Sequence, residues 1–207
     1  MTAPTEFDGE RATRRVPRSP SAARVAAVAV DHFAEHGYDG SSLATIAEGA
    51  GMRKASLYAH YAGKDDLFLA VLAEALEHET DFVRKTFAGD QGRPPGGRYT
   101  RALIDRYGAS VHLRFLLRNA YAPPVAVRDQ MTTAYRAHLH ELEVAFAHAA
   151  DQGPGCPPGV TAVTEAYLGI VDSLHVELVH GDALMVERRH RAMWDMFTRW
   201  ATPDNDT

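Results

Sequence analysis

The sequence predicts an all-α protein, and three observations carry that prediction. Apolar residues recur at helical spacing in one segment after another, no segment alternates convincingly between apolar and polar residues, and Gly/Pro-rich stretches punctuate the periodic runs. The chain has 207 residues, 45% of them hydrophobic and 24% charged, which is enough for one or two helical domains with a real core. It shows neither an internal repeat nor a low-complexity tract.

Residues 1–20 are polar and contain Pro4, Pro17 and Pro20, which reads as a disordered basic arm. It is either a solvated tail or a contributor of phosphate and minor-groove contacts through Arg14, Arg15 and Arg18. Residues 21–36 form a helix with Val25, Val28, Ala29, His32 and Phe33 on one stripe, Ser19 or Ser21 as the cap and Gly37 as the stop. Residues 41–64 read as two short helices around a tight turn. Ser41 or Ser42 caps the first, Leu43, Ile46 and Ala47 make its apolar face, and Gly51 supplies the left-handed turn. The second carries Arg53, Lys54, Ser56, Tyr58, His60 and Tyr61; too short to persist alone, it must dock through Leu57 and Tyr61.

Residues 64–87 form a long helix. Asp65 and Asp66 sit in its first turn, where negative charge suits the helix dipole, and Leu67, Phe68, Val71, Leu72, Ala75 and Leu76 make a broad apolar face. Such a helix can join two domains and transmit movement between them. Residues 89–98 are a loop by composition, residues 99–117 a helix weakened at Gly108, and Pro123-Pro124 opens a helix over 125–149. After a second loop at 152–159 come helices over 160–180 and 183–200, separated by Gly181. The last two are apolar around much of their circumference, more than one chain of this size can cover.

Charge is distributed unevenly. Net charge is −5, which argues against coating by nucleic acid, yet residues 1–64 carry eight Lys/Arg against seven Asp/Glu, leaving fourteen against twenty for the remainder. Arg11, Arg14, Arg15, Arg18 and Arg24 follow one another without an intervening acid. A basic patch on an acidic body fits a protein that touches DNA with one end. The short helix after Gly51 is donor-rich and nearly free of acid, as a helix lying in a major groove needs to be.

These features resemble the DNA-binding domain of the TetR family of transcriptional regulators. The resemblance rests on the apolar helix ending at Gly37-Tyr38, the Ser41-Ser42-Leu43-x-x-Ile46-Ala47 run, Ala50-Gly51-Met52, Ser56-Leu57-Tyr58, His60-Tyr61, and Lys64 followed by Asp66-Leu67-Phe68. It covers roughly residues 21–76. Two positions depart from the family habit: Ala55 stands where glycine is common, and Ala59 where a bulky or polar residue is frequent. Both changes bear on operator choice rather than on fold.

The resemblance implies a helix-turn-helix domain over 21–66, a helical effector-binding and dimerisation domain over 67–202, and a tail at 203–207. It implies a homodimer through the two C-terminal helices. Two-fold symmetry would set the recognition helices about 34–36 Å apart, one for each half of a near-palindromic double-stranded operator. Base readout falls to Lys54, Ala55 and Ala59 with Arg53; Ser41, Ser42, Ser56, Tyr58, His60 and Lys64 are expected as phosphate anchors. For Tyr58 and His60, packing between the short helices is the plain alternative. The family binds small molecules in its C-terminal domain. Candidates here are Tyr107, His112, Phe115, Arg118, Tyr121, Tyr135, His138, Tyr167 and His175, which mix aromatic surface with polar tips. Arg114 and Arg118, one turn apart, hold an anion or simply face solvent. The expected function is a ligand-responsive repressor released from its operator by an unknown effector, with no catalytic residues, cofactor or metal.

An enzyme or metal-binding bundle carrying a helix-turn-helix-like segment is the alternative. Glu177-x-x-His180 and Glu187-x-x-His190 match part of a di-iron carboxylate set, but they flank Gly181-Asp182 and two further inward glutamates are missing. Cys156, the single cysteine, sits among Gly and Pro with no cation beside it in sequence, so it reads as loop filler and precludes an intrachain disulfide. The start of the chain has no signal-peptide core and no run approaches the ~20 apolar residues of a membrane span, so a cytoplasmic protein is expected.

Overall fold

The computed structural model describes residues 19–90, 92, 94–151 and 160–201, with side chains in the last segment from 162 onward. Residues 1–18 of the expected basic arm, the loop with Cys156 and the tail at 203–207 lie outside these residues, while Ser19 and Pro20, expected in the arm, are the cap and first residue of a helix. Nine α-helices and no strand occur among the described residues: α1 (Pro20–His36), α2 (Leu43–Gly49), α3 (Lys54–Tyr58), α4 (Lys64–Phe87), α5 (Gly97–Tyr107), α6 (Val111–Tyr121), α7 (Arg128–Asp151), α8 (Val160–His180) and α9 (Ala183–Ala201).

The helix starts follow local chemistry. Ser19 caps α1 by accepting from the Ala22 N–H, and Ser42 caps α2 by accepting from the Thr45 N–H at 3.1 Å. Gly37 and Gly51 hold φ of 70° and 65°, conformations that cost a residue without Cβ little. α4 has the predicted limits, with Asp65 and Asp66 in its first turn and Arg84 and Lys85 in its last.

Two expectations are corrected. The single helix expected over 99–117 is two helices. α5 ends at Tyr107, the backbone N–H groups of Ala109 and Ser110 fold back onto the Arg106 carbonyl, and the Ser110 hydroxyl caps α6 by accepting from the Leu113 N–H. Apolar periodicity runs through the break because both halves pack, and it hid the cap. The helix expected to open at Val125 begins instead with a 3₁₀ turn over Val125–Val127, and α7 starts at Arg128. Pro123 and Pro124 lack N–H donors, and the first turn tightens onto the Pro124 carbonyl.

Two apolar cores result. The first joins α1, α2, α3 and the start of α4 around Val25, Ala29, Phe33, Ile46, Leu57 and Phe68. The second joins the end of α4 to α5, α7, α8 and α9 around Tyr99, Leu103, Phe146, Tyr167 and Leu174, with the Phe146 and Tyr167 rings stacked at 4.0 Å. α6 and α7 serve both: Phe115, Leu116 and Met131 enter the first core, and Leu113, Leu117, Leu142 and Phe146 the second. Gly96 lies against Tyr167. Its φ is 95°, a Cβ there would meet the ring at 2.4 Å, and its carbonyl accepts from the Tyr167 hydroxyl.

A buried ion pair bolts α4 to α5. Glu79 is only 2% exposed, and both its oxygens accept from Arg106, at 2.5 and 2.9 Å. The same guanidinium lies 3.9 Å from the Phe82 ring centroid and donates to Ser110.

Candidate nucleic-acid interface and effector region

α3 is held by one fully buried side chain, Leu57, and by Tyr61, whose hydroxyl donates to the Ala22 carbonyl of α1. That anchorage turns Arg53, Lys54, Ala55, Ser56, Tyr58 and Ala59 outward, all exposed. The Lys54 ammonium lies 5.9 Å from the Tyr58 ring centroid, and Tyr58 itself is 49% exposed, so packing between the short helices does not account for it. Ser42 is exposed at the start of α2. No acid lies on α3. The outward face is therefore a short row of cationic and hydroxyl donors with two methyl groups, a set able to reach phosphates, base edges and thymine methyls.

Three expected anchors have other employment. Ser41 is 4% exposed; its hydroxyl donates to the Gly37 carbonyl at 2.6 Å and meets His32 Nδ1 at 2.9 Å, tying the α1–α2 turn together. His60 places Nε2 2.9 Å from the Ser21 hydroxyl, the packing alternative. Lys64 donates to the carbonyls of Tyr38 and Ser41 at 2.9 and 3.2 Å, with its ammonium 4.0 Å over the Tyr38 ring. It is a clip between the α1–α2 turn and α4. The Tyr38 hydroxyl donates to Asp65 on the same helix, and burial followed by that carboxylate pushes Tyr38 up to about 12.

The nine effector candidates divide. Tyr121, Tyr135, His138 and His175 come together between α6, α7 and α8. The Tyr135 hydroxyl is 3.2 Å from His175 Nδ1, the Tyr121 and Tyr135 rings meet edge to face, and His138 Nδ1 lies 3.0 Å from the Thr80 hydroxyl of α4. Burial drives His138 down to about 4 and His175 to about 3, so both rings are neutral near pH 7. His175 is 2% exposed, and its Nε2 has no hydrogen-bond partner among the described residues. His138 and Thr80 also line a groove of about 640 Å³ between α4 and α7, walled by Glu74, Glu77, Asp81 and Glu141, with Arg84 paired to Glu141 at 2.7 Å.

The other five lie elsewhere. Phe115 is fully buried in the first core, 5.2 Å from the Phe68 centroid. Tyr167 is plain core. Arg118 packs its guanidinium against Gly37, where an added Cβ would meet Nε at 3.3 Å. Tyr107 ends α5, half-buried, and His112 stacks on His78. Arg114 donates to the Gly108 carbonyl, so the two arginines do not form one anion site. Three of the four residues considered for a metal are engaged elsewhere: Glu177 with Arg189, Glu187 with Arg101, and His190 with the Thr100 hydroxyl at 3.0 Å. The sequence reading missed Thr80 and the Glu79–Arg106 pair. Glu79 stands on the apolar stripe of Leu72, Ala75 and Val83, and that misplaced charge was the available signal.

A short helix docked through one leucine, following a glycine turn and presenting donors outward, defines a helix-turn-helix DNA-binding protein. Residues 25–71 match the family model for bacterial regulatory proteins of the tetR family. The chain is 32% identical over 77 residues to the HTH-type transcriptional activator FasR of Mycolicibacterium smegmatis, covering 37% of this chain and 35% of that one. It is 34% identical over 114 residues to IcaR of Staphylococcus epidermidis, the negative transcriptional regulator of the biofilm operon icaADBC, covering 55% and 58%. The match thus spans from about a third to under three fifths of these relatives. A TetR-family regulator from Streptomyces coelicolor shares the fold at a TM-score of 0.71 with 18% identity, covering 88% of this chain and 96% of that one. The fatty acid degradation regulator FadR of Bacillus halodurans does so at 0.67 with 14% identity, covering 86% and 96%. Residues 25–71 thus form a tetR-type helix-turn-helix DNA-binding domain, and the chain as a whole shares the fold of TetR-family transcriptional regulators. Among the described residues no helix is long and apolar enough to cross a membrane.

Proposed function

We propose that this regulator binds a near-palindromic operator as a homodimer and is released from it by a small molecule. The observation that supports the DNA contact most directly is the acid-free outward face of α3, with Arg53, Lys54, Ser56 and Tyr58 exposed together. We assign base readout to Lys54, Ala55 and Ala59 with Arg53, and phosphate contact to Ser42, Ser56 and Tyr58. Lys64, Ser41 and His60 position these elements. Dimerisation through α8 and α9 is supported by apolar side chains left exposed on those helices, Val176 on α8 and Leu184, Met196 and Trp200 on α9.

The effector site is the Thr80–Tyr121–Tyr135–His138–His175 cluster, reached through the α4/α7 groove. The support is the unpartnered Nε2 of a buried neutral histidine, a group whose burial is costly until something bonds to it. Ligand and DNA then oppose one another by linkage: whatever factor the ligand takes from DNA affinity, DNA takes from ligand affinity. The two curated relatives bear opposite signs of regulation by name. Of the two signs, release by ligand corresponds to repression.

Selection of bound sequences from a random duplex pool, followed by titration of the winner at several salt concentrations, tests the reading. A near-palindrome bound at least ~10³-fold better than random DNA is the expected result. Weak, salt-sensitive binding without enrichment defeats it.

A further inference from the structure

Glu74 and His78 lie one turn apart on α4 and so share a face. His112, from the first turn of α6, meets them there. One ligand atom from each of the three lies within 4.8 Å of the others, and the two imidazoles stack at 4.2 Å between centroids, 23° from parallel. Neutral imidazole is the form that ligates a metal.

We propose that Glu74, His78 and His112 bind a late first-row divalent cation, zinc foremost, and that the ion ties α4 to α6. Two imidazole nitrogens and one carboxylate oxygen suit zinc at ~2.0–2.2 Å, with water completing the shell, whereas magnesium and calcium select all-oxygen sets. Tetrahedral coordination needs the ligand atoms about 3.3 Å apart. His78 is exposed and Glu74 and His112 half-buried, so the contraction asked of the site falls on side chains with room to turn out of the imidazole stack. The site lies where the two cores meet, because α6 sends Phe115 into the first and Leu117 into the second. The site needs neither DNA nor an effector, so it stands or falls apart from the reading above.

The test uses tag-free, chelator-treated full-length protein in a Cys156→Ser background. It is titrated with zinc by calorimetry and with cobalt by visible absorption. The expected result is one zinc per chain, cobalt ligand-field bands, and a melting temperature that rises with free zinc. His78→Ala, at an exposed position, should keep the metal-free melting temperature and weaken binding by about tenfold or more. His112→Ala should weaken it likewise, and His140→Ala, an exposed histidine paired with Glu143 on α7, should leave it unchanged. Absence of a stoichiometric site, or unaltered affinity in both His78→Ala and His112→Ala, overturns the proposal.

Discussion

The two cores differ in what they bury. The first, under the recognition helix, is aliphatic with the Phe33, Phe68 and Phe115 rings at its centre, and Ser41 is the buried polar side chain at its edge. Beyond it Glu79, Thr86, Thr100, His138, Thr164 and His175 are buried, while Asn119 donates to the carbonyl of Phe115 in the first core. A dry core holds one geometry because its packing has no alternative partners to trade. A core with buried polar groups is specified by hydrogen bonds, and those can be exchanged for bonds to a guest. The region around the helix-turn-helix therefore has the more tightly fixed packing, and the other region holds the exchangeable hydrogen bonds.

The largest test of that contrast compares Phe68→Ala with Arg106→Ala. Each should cost about 3–5 kcal/mol in denaturant unfolding, the first by leaving a cavity and the second by stranding the Glu79 carboxylate. Rescue separates them: the double variant Glu79→Met/Arg106→Met should recover most of the loss, since the pair is dispensable once both charges go. If the double variant is as unstable as Arg106→Ala, the pair organises α5 by shape rather than charge.

Next comes pH. The native His138 and His175 are held below the unfolded value near 6.5, so the unfolded chain binds more protons between that value and about 4 and 3. Stability should be constant above about pH 7 and fall as pH drops through 6.5, by at most about 2 kcal/mol per histidine at pH 5. Melting temperature against pH reads this directly, and His138→Gln and His175→Gln should each flatten the slope. An unchanged slope in both would locate the proton uptake elsewhere.

The smallest effects divide two lysines. Lys64→Ala should lower the stability of the first region by about 1–2 kcal/mol, through loss of two hydrogen bonds and a cation–π contact. Lys54→Ala should change stability by less than about 0.5 kcal/mol while blurring base preference in the selection experiment. Equal melting temperatures for the two variants would return Lys64 to the list of phosphate anchors.

Much of the fold was legible, for local reasons. The limits of α4 and the left-handed turn at Gly51 follow from charge and glycine chemistry within a few residues, and the Ser42 cap was one of two adjacent serines expected there. What the sequence left hidden depends on distant partners. A lysine ammonium bonds a carbonyl as readily as a phosphate, so nothing near Lys64 in sequence reveals that the Tyr38 and Ser41 carbonyls claim it. Phe115 mixes with pocket candidates by type, and only the crossing of α6 over α1 and α4 sends it into the first core. His78 and His112 are separated by 34 positions, and no spacing rule joins them.

The Lys64 clip has a mechanical corollary. Because it fastens the α1–α2 turn to the first residue of α4, the helix-turn-helix unit cannot pivot independently of that helix. With 24 residues α4 measures about 36 Å. A tilt of about 5° at its far end, small enough for side chains around one guest to absorb, sweeps the near end through an arc of about 3 Å. Hydrogen bonds to base edges tolerate only a few tenths of an ångström, so a disturbance modest at one end of the rod becomes a misfit at the other.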